Sequence, residues 1–111
     1  MTLERVVFSG NSVEVGGKQL RLDFPVRDAF RSGDRIIVLF DPDAQTGSFK
    51  NLVCFDISGK RLWEAEFPEP GHPDCYYQIG SRRPLIAYSF TSYDVELDPE
   101  TGAILSKEFT K

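Results

Sequence analysis

Asn51-Leu-Val53-Cys-Phe55-Asp56-Ile-Ser-Gly59-Lys60-Arg-Leu62-Trp63-Glu-Ala-Glu-Phe67 is the stretch on which the fold turns. Val53 and Phe55 alternate with Cys54 and Asp56, the period of a strand whose successive side chains point to opposite faces. Asp56 to Gly59 is a tight polar turn, and glycine supplies the positive φ such a turn needs without a steric penalty. A second strand leaves the turn and closes at Phe67. The stretch is therefore a β-hairpin.

The hairpin recurs on both sides. In Ser12 to Pro25, Val13 and Val15 alternate, Gly17 turns and Phe24 closes. In Ser92 to Phe109, Val95 and Leu97 alternate, Gly102 turns and Phe109 closes. The middle copy has one more residue between its turn and its closing Phe, which predicts a bulge near Leu62-Trp63. A continuous apolar run precedes each hairpin: Val6 to Phe8, Ile36 to Phe40, and Leu85 to Phe90. Such runs read as inner strands covered on both faces. The second and third copies have a further leading strand. These are Val26 to Phe30, turning at Ser32-Gly33-Asp34, and Tyr76 to Ile79, turning at Gly80-Ser81. No 3.6-residue apolar period persists long enough for a helix. The expectation is one all-β domain over residues 1–111, an antiparallel meander of about eleven short strands. Its repeat units, two and a half to three in number, fall roughly at 5–25, 26–68 and 69–110.

The pattern formed by Val53, Phe55, Asp56, Gly59, Lys60, Leu62 and Trp63 resembles the blade hairpin of quinoprotein-type β-propellers. The third copy matches through Val95, Leu97, Asp98, Gly102 and Leu105, with Ser106 where Trp would stand. The resemblance implies propeller-blade-like sheets. It does not carry over the quinone, which sits in the channel of a much longer ring, and no cofactor is expected. A ring needs at least about four blades, so this chain closes as a curled sheet or sandwich, or pairs with another copy.

The 111 residues suit one domain. The formal net charge is −4, which argues against non-specific nucleic-acid binding. Residues 38–111 hold twelve Asp and Glu against seven Lys and Arg, so a basic partner would prefer that part. Cys54 and Cys75 make neither a disulfide framework nor a metal spacing. The first residues lack a basic stretch followed by an apolar one, and no apolar run approaches the ~20 residues of a membrane span. The expectation is a cytoplasmic protein with reduced thiols and no membrane contact.

Candidate chemistry is sparse. His72, the one histidine, stands beside Asp74 and Cys75, a conceivable thiol site, but a proline-rich loop explains the stretch better. Asp41-Pro-Asp43 opens like a calcium loop, yet Thr46 and Leu52 occupy the places where an EF-hand needs Gly and Glu. A turn with Asx bonds fits that loop better, and no metal is expected. Asp94, Glu96 and Asp98 alternate with Val95 and Leu97 and so share one sheet face, with Glu64, Glu66 and Glu108 on the neighbouring strand type. Glycoside hydrolysis uses paired carboxylates, but a chain this short leaves little room for a sugar cleft. A solvated face or a docking surface is the better account. Tyr and Trp are favoured interface anchors; Tyr76 and Tyr77 are candidates, while Trp63 reads as core. The candidate partner-binding residues are therefore Asp94, Glu96, Asp98, Asp41, Asp43, Tyr76 and Tyr77. The expected function is a non-enzymatic protein-binding module, in its sharpest form an immunity-type protein neutralising a basic toxin domain. A self-assembling β-repeat protein, a homodimer included, comes next, and a small enzyme or ligand carrier last.

Overall fold

Strands alternating about tight polar turns generate the whole architecture of the computed structural model, which describes residues 6–44, 49–69, 71 and 74–110. Among these are eleven strands in three antiparallel sheets, each a meander of strands consecutive in sequence. The first sheet holds β1 (Val6–Ser9), β2 (Ser12–Val15) and β3 (Lys18–Arg21). The second holds β4 (Val26–Ser32), β5 (Arg35–Phe40), β6 (Leu52–Asp56) and β7 (Arg61–Glu64). The third holds β8 (Tyr76–Arg82), β9 (Leu85–Ser89), β10 (Tyr93–Leu97) and β11 (Ile104–Phe109). The all-β meander read from the sequence is the fold, and among the described residues the first sheet has three strands where the others have four. Among the described residues no helix is long and apolar enough to cross a membrane.

The hinge glycines Gly17, Gly59 and Gly102 have φ of 79°, 95° and 77°. Beside Gly59, the Asp56 carboxylate closes the turn. Its Oδ1 accepts from the backbone N–H of Ser58 and of Lys60, both at 2.9 Å, and from the Ser58 hydroxyl at 2.6 Å. Asp98 takes the same part at the third hinge, accepting from the Glu100 N–H at 2.8 Å. The Ser58 hydroxyl and then the backbone donors hold the Asp56 carboxyl below its ordinary 3.8. A lowered pKa means that the turn keeps its full contribution above about pH 4 and loses it as pH falls further. Asp56→Asn is expected to lower stability modestly at pH 7 and to change it little at pH 3, so that the acid limb flattens, as urea melts at the two pH values would report.

The sheets lie in three layers with a core in each gap. Val13, Val15 and Leu20 of the first sheet share one core with Ala29, Ile36, Val38, Phe40, Val53 and Phe55 of the second. The opposite face of the second sheet, with Phe30, Ile37, Leu39, Leu52, Cys54 and Trp63, shares the other core with Tyr76, Leu85, Ala87, Val95 and Leu97 of the third. Only the middle layer is covered on both sides, and Ile36 to Phe40 are buried without interruption. The other two apolar runs depart from the expectation. Val7 is 56% and Phe8 37% exposed, and Phe90 is 58% exposed. Val7 faces outward on an end layer, Phe8 is on the core side but on the edge strand β1, and Phe90 follows β9 in the other end layer.

The predicted bulge exists: Cys54 faces Trp63 and Phe55 faces Arg61, leaving Leu62 extra. Its counterpart on β11 is Leu105. Arg27 on β4 and Tyr77 and Gly80 on β8 are likewise extra residues. Every edge strand of the second and third sheets thus carries a bulge, a device that twists an edge away from foreign strands. The expected turn at Gly80-Ser81 is corrected: both residues lie within β8, and the chain reverses at Arg83-Pro84, after Arg82 pairs with Leu85. Gly80 is a bulge residue there, not a hinge.

Asn51 joins the second and third layers. Its side chain is fully buried, and its Nδ2 donates to the carbonyls of Phe40 and Tyr76 while its Oδ1 accepts from the Tyr76 N–H.

Candidate functional site

The alternation that sends Leu85, Ala87, Val95 and Leu97 into the core sends Ile86, Tyr88, Asp94 and Glu96 to the outer face of the third sheet. Pairing aligns them in rows. Asp94 lies between Tyr88 and Glu108, and Glu96 between Ile86 and Ser106. The bulge at Tyr77 puts that ring on the same side, 6.2 Å from Tyr88 and 5.1 Å from Phe90 between centroids. The face is an aromatic strip bordered by three carboxylates.

A depression of about 410 Å³ crosses the sheet here, lined by Gly80, Ser81, Tyr88, Asp94, Glu96 and Glu108 among others. Asp94 and Glu108 are directly opposite across β10 and β11, an arrangement of like charges that is itself destabilising. Among the described residues no cation pairs with Asp94, Glu96 or Glu108. Lys107 also borders the depression, but its Nζ donates to the Pro68 carbonyl and lies over the Tyr93 ring. Its charge is thus held elsewhere.

A family model described as "Domain of unknown function (DUF7957)" matches residues 3–109. The chain belongs to the DUF7957 family. That match takes in all eleven strands, so the DUF7957 unit includes the three layers and this outer face. A search of curated proteins returned no match.

Against this geometry the sequence-derived residues separate. In this DUF7957 chain Asp94, Glu96 and Tyr77 come together on the outer face. Tyr76 does not: it is fully buried, its hydroxyl donating to the Glu66 carbonyl, because neighbouring strand residues point to opposite faces. Asp98 is spent on the hinge at Gly102. Asp41 and Asp43 sit at the 3₁₀ turn Pro42–Ala44 after β5, where the Asp41 carboxylate accepts from the Asp43 N–H at 2.9 Å. Glu64 pairs with Arg61 at 2.7 Å, and Glu66 accepts from the Ile104 N–H at 3.0 Å.

The thiol reading fares differently. His72 lies outside the described residues, as do Thr46 and Gly47 of the loop compared with a calcium site. Asp74 accepts from the Cys75 N–H and from the Thr91 hydroxyl. Burial and then the Asp74 charge push the Cys75 thiol up, away from the thiolate a nucleophile requires. Burial pushes Cys54 up to about 11. Among the described residues no three His, Cys, Asp or Glu side chains are grouped to hold a metal.

Tyr88, Phe90 and Gly80 were not singled out by the sequence as site residues, and Glu108 was named only among the carboxylates of the neighbouring strand type. The signal for the first two was present, since Ile86, Tyr88 and Phe90 alternate with Leu85, Ala87 and Ser89.

Proposed function

We propose that this chain is a non-enzymatic protein-binding module that docks a basic protein on the outer face of its third sheet. Its sharpest form is a cytoplasmic immunity-type protein that caps a basic toxin domain. The observation that carries the reading is the Asp94–Glu108 pair. Two carboxylates are held opposite one another, with Glu96 beside them and, among the described residues, no cation to offset the repulsion. A basic group from a partner relieves that repulsion as it binds, and the half-buried ring of Tyr77 and the exposed ring of Phe90 offer apolar contact next to it. Charge complementarity of this kind raises association rates and selects partners.

The test is co-purification and binding kinetics with the product of the neighbouring gene. The triple variant Asp94→Ala/Glu96→Ala/Glu108→Ala is expected to bind at least about tenfold more weakly, with much of the loss in the association rate. Asp41→Ala/Asp43→Ala, on the loop after β5, is the control and is expected to bind as wild type does. Equal affinity of the triple variant and wild type would reject the docking face.

A further inference from the structure

We infer that the depression on the outer face of the third sheet is an anchor pocket for an arginine side chain of a protein partner. This rests on the docking reading above and adds the chemistry of the group that enters.

The first ground is Gly80. Unlike the hinge glycines it has no left-handed φ, so the backbone does not demand glycine there. The Tyr88 ring does: a Cβ at Gly80 would stand 2.3 Å from both Cζ and Oη of Tyr88. The phenol lies down across β8 because that position is bare. Tyr88 is half-exposed, so this fit places a ring on the surface instead of filling a core.

The second ground is a comparison within the chain. Val53 and Val95 hold the same place in their units. Register then equates Leu52 with Asp94, Cys54 with Glu96, Leu39 with Tyr88 and Trp63 with Ser106. In the middle layer these positions are apolar and take the next sheet. In the third layer an indole has become a serine, which leaves the hollow, and two core residues have become carboxylates. A face that only needed to be wetted would carry charges of both signs. This one pairs carboxylates of a single sign with an aromatic wall and an empty floor.

That combination suits a guanidinium better than an ammonium. Guanidinium is planar, stacks on a phenol face, and donates to carboxylates along two edges at once, so it can bridge Asp94 and Glu108 while covering Tyr88. Lysine brings a more strongly hydrated point charge that gains less from the ring. Arginine is also among the residues that dominate interface energetics.

The experiment compares hexa-arginine with hexa-lysine by calorimetry on the full chain at the same salt. Hexa-arginine is expected to bind about tenfold more tightly. Tyr88→Ala should erase that preference and keep weak, salt-sensitive binding of both peptides. Tyr88→Phe should retain the preference, and Gly80→Ala should reduce it by displacing the ring, with thermal unfolding confirming that each variant is folded. Equal binding of the two peptides by wild type would overturn the arginine pocket and leave the basic-partner reading standing. An unchanged preference in Tyr88→Ala would overturn the pocket equally, and no binding of either peptide would reject both.

Discussion

Asn51→Leu is expected to remove about 4 kcal/mol of stability, a large share of the roughly 5–15 kcal/mol a domain possesses. The side chain is 0% exposed. Its Nδ2 donates to the Phe40 carbonyl at 3.0 Å and the Tyr76 carbonyl at 2.6 Å, and its Oδ1 accepts from the Tyr76 N–H at 2.9 Å. The amide substitutes for a strand between the end of β5 and the start of β8. Leucine fills the space but leaves those backbone groups without this partner, at about 1–3 kcal/mol for each one left unpaired. Asn51→Asp adds a pH signature. A carboxylate there would face two carbonyl oxygens, and only its protonated form could donate to either. The folded-state pKa is therefore raised above the unfolded value. At low pH the single O–H can replace only one of the two donated bonds, and stability falls further as pH rises past about 4, the reverse of the Asp56 effect. Urea denaturation across that range measures both. A loss below about 1 kcal/mol for Asn51→Leu would mean that the amide does not hold the layers together.

The second large effect separates three glycines that look alike in sequence. Gly102→Ala is expected to destabilise by about 3–4 kcal/mol, through strain at positive φ and overpacking together. Its φ is 77°, and a Cβ would stand 2.5 Å from Cε3 and 2.7 Å from Cδ2 of Trp63. The indole has little freedom to retreat, since its Nε1 donates to the Pro99 carbonyl at 3.0 Å and it is buried between layers. At Gly59 the nearest atom is Leu20 Cδ2 at 3.5 Å, and at Gly17 nothing lies within 4 Å. Alanine at either position meets backbone strain alone, about 1–2 kcal/mol. Thermal unfolding of the three single variants checks the order. Equal losses at all three would show that packing against Trp63 contributes nothing.

Local chemistry was legible in the sequence; layer order was not. The hinges at Gly17, Gly59 and Gly102 follow from spacing and from what glycine alone tolerates; the bulge at Leu62 lies where it was expected, but Leu105 bulges likewise in a copy without the extra residue, so spacing is not its cause. The runs Val6 to Phe8, Ile36 to Phe40 and Leu85 to Phe90 look equivalent as letters, yet only the middle one is sealed on both faces. That difference arises from which sheet stacks on which, a long-range matter that no local period encodes. The site shows the same division. Alternation along β10 placed Asp94 and Glu96 on one face, whereas it could not say which of Tyr76 and Tyr77 points outward, because a bulge intervenes. Glu108 joins the site only through pairing of β11 with β10, and Gly80 reads as a turn until Tyr88 is seen lying over it.

The replacement of Leu52 and Cys54 by Asp94 and Glu96 at the matching register has a consequence for how layers of this kind stack. A repeat that buries its neighbour would, left unaltered, go on recruiting neighbours until it met its own beginning or precipitated. Here two acidic side chains stand where the second sheet has apolar ones, so a like layer stacked on the outer face of the third sheet would have to bury both carboxylates without a counter-charge.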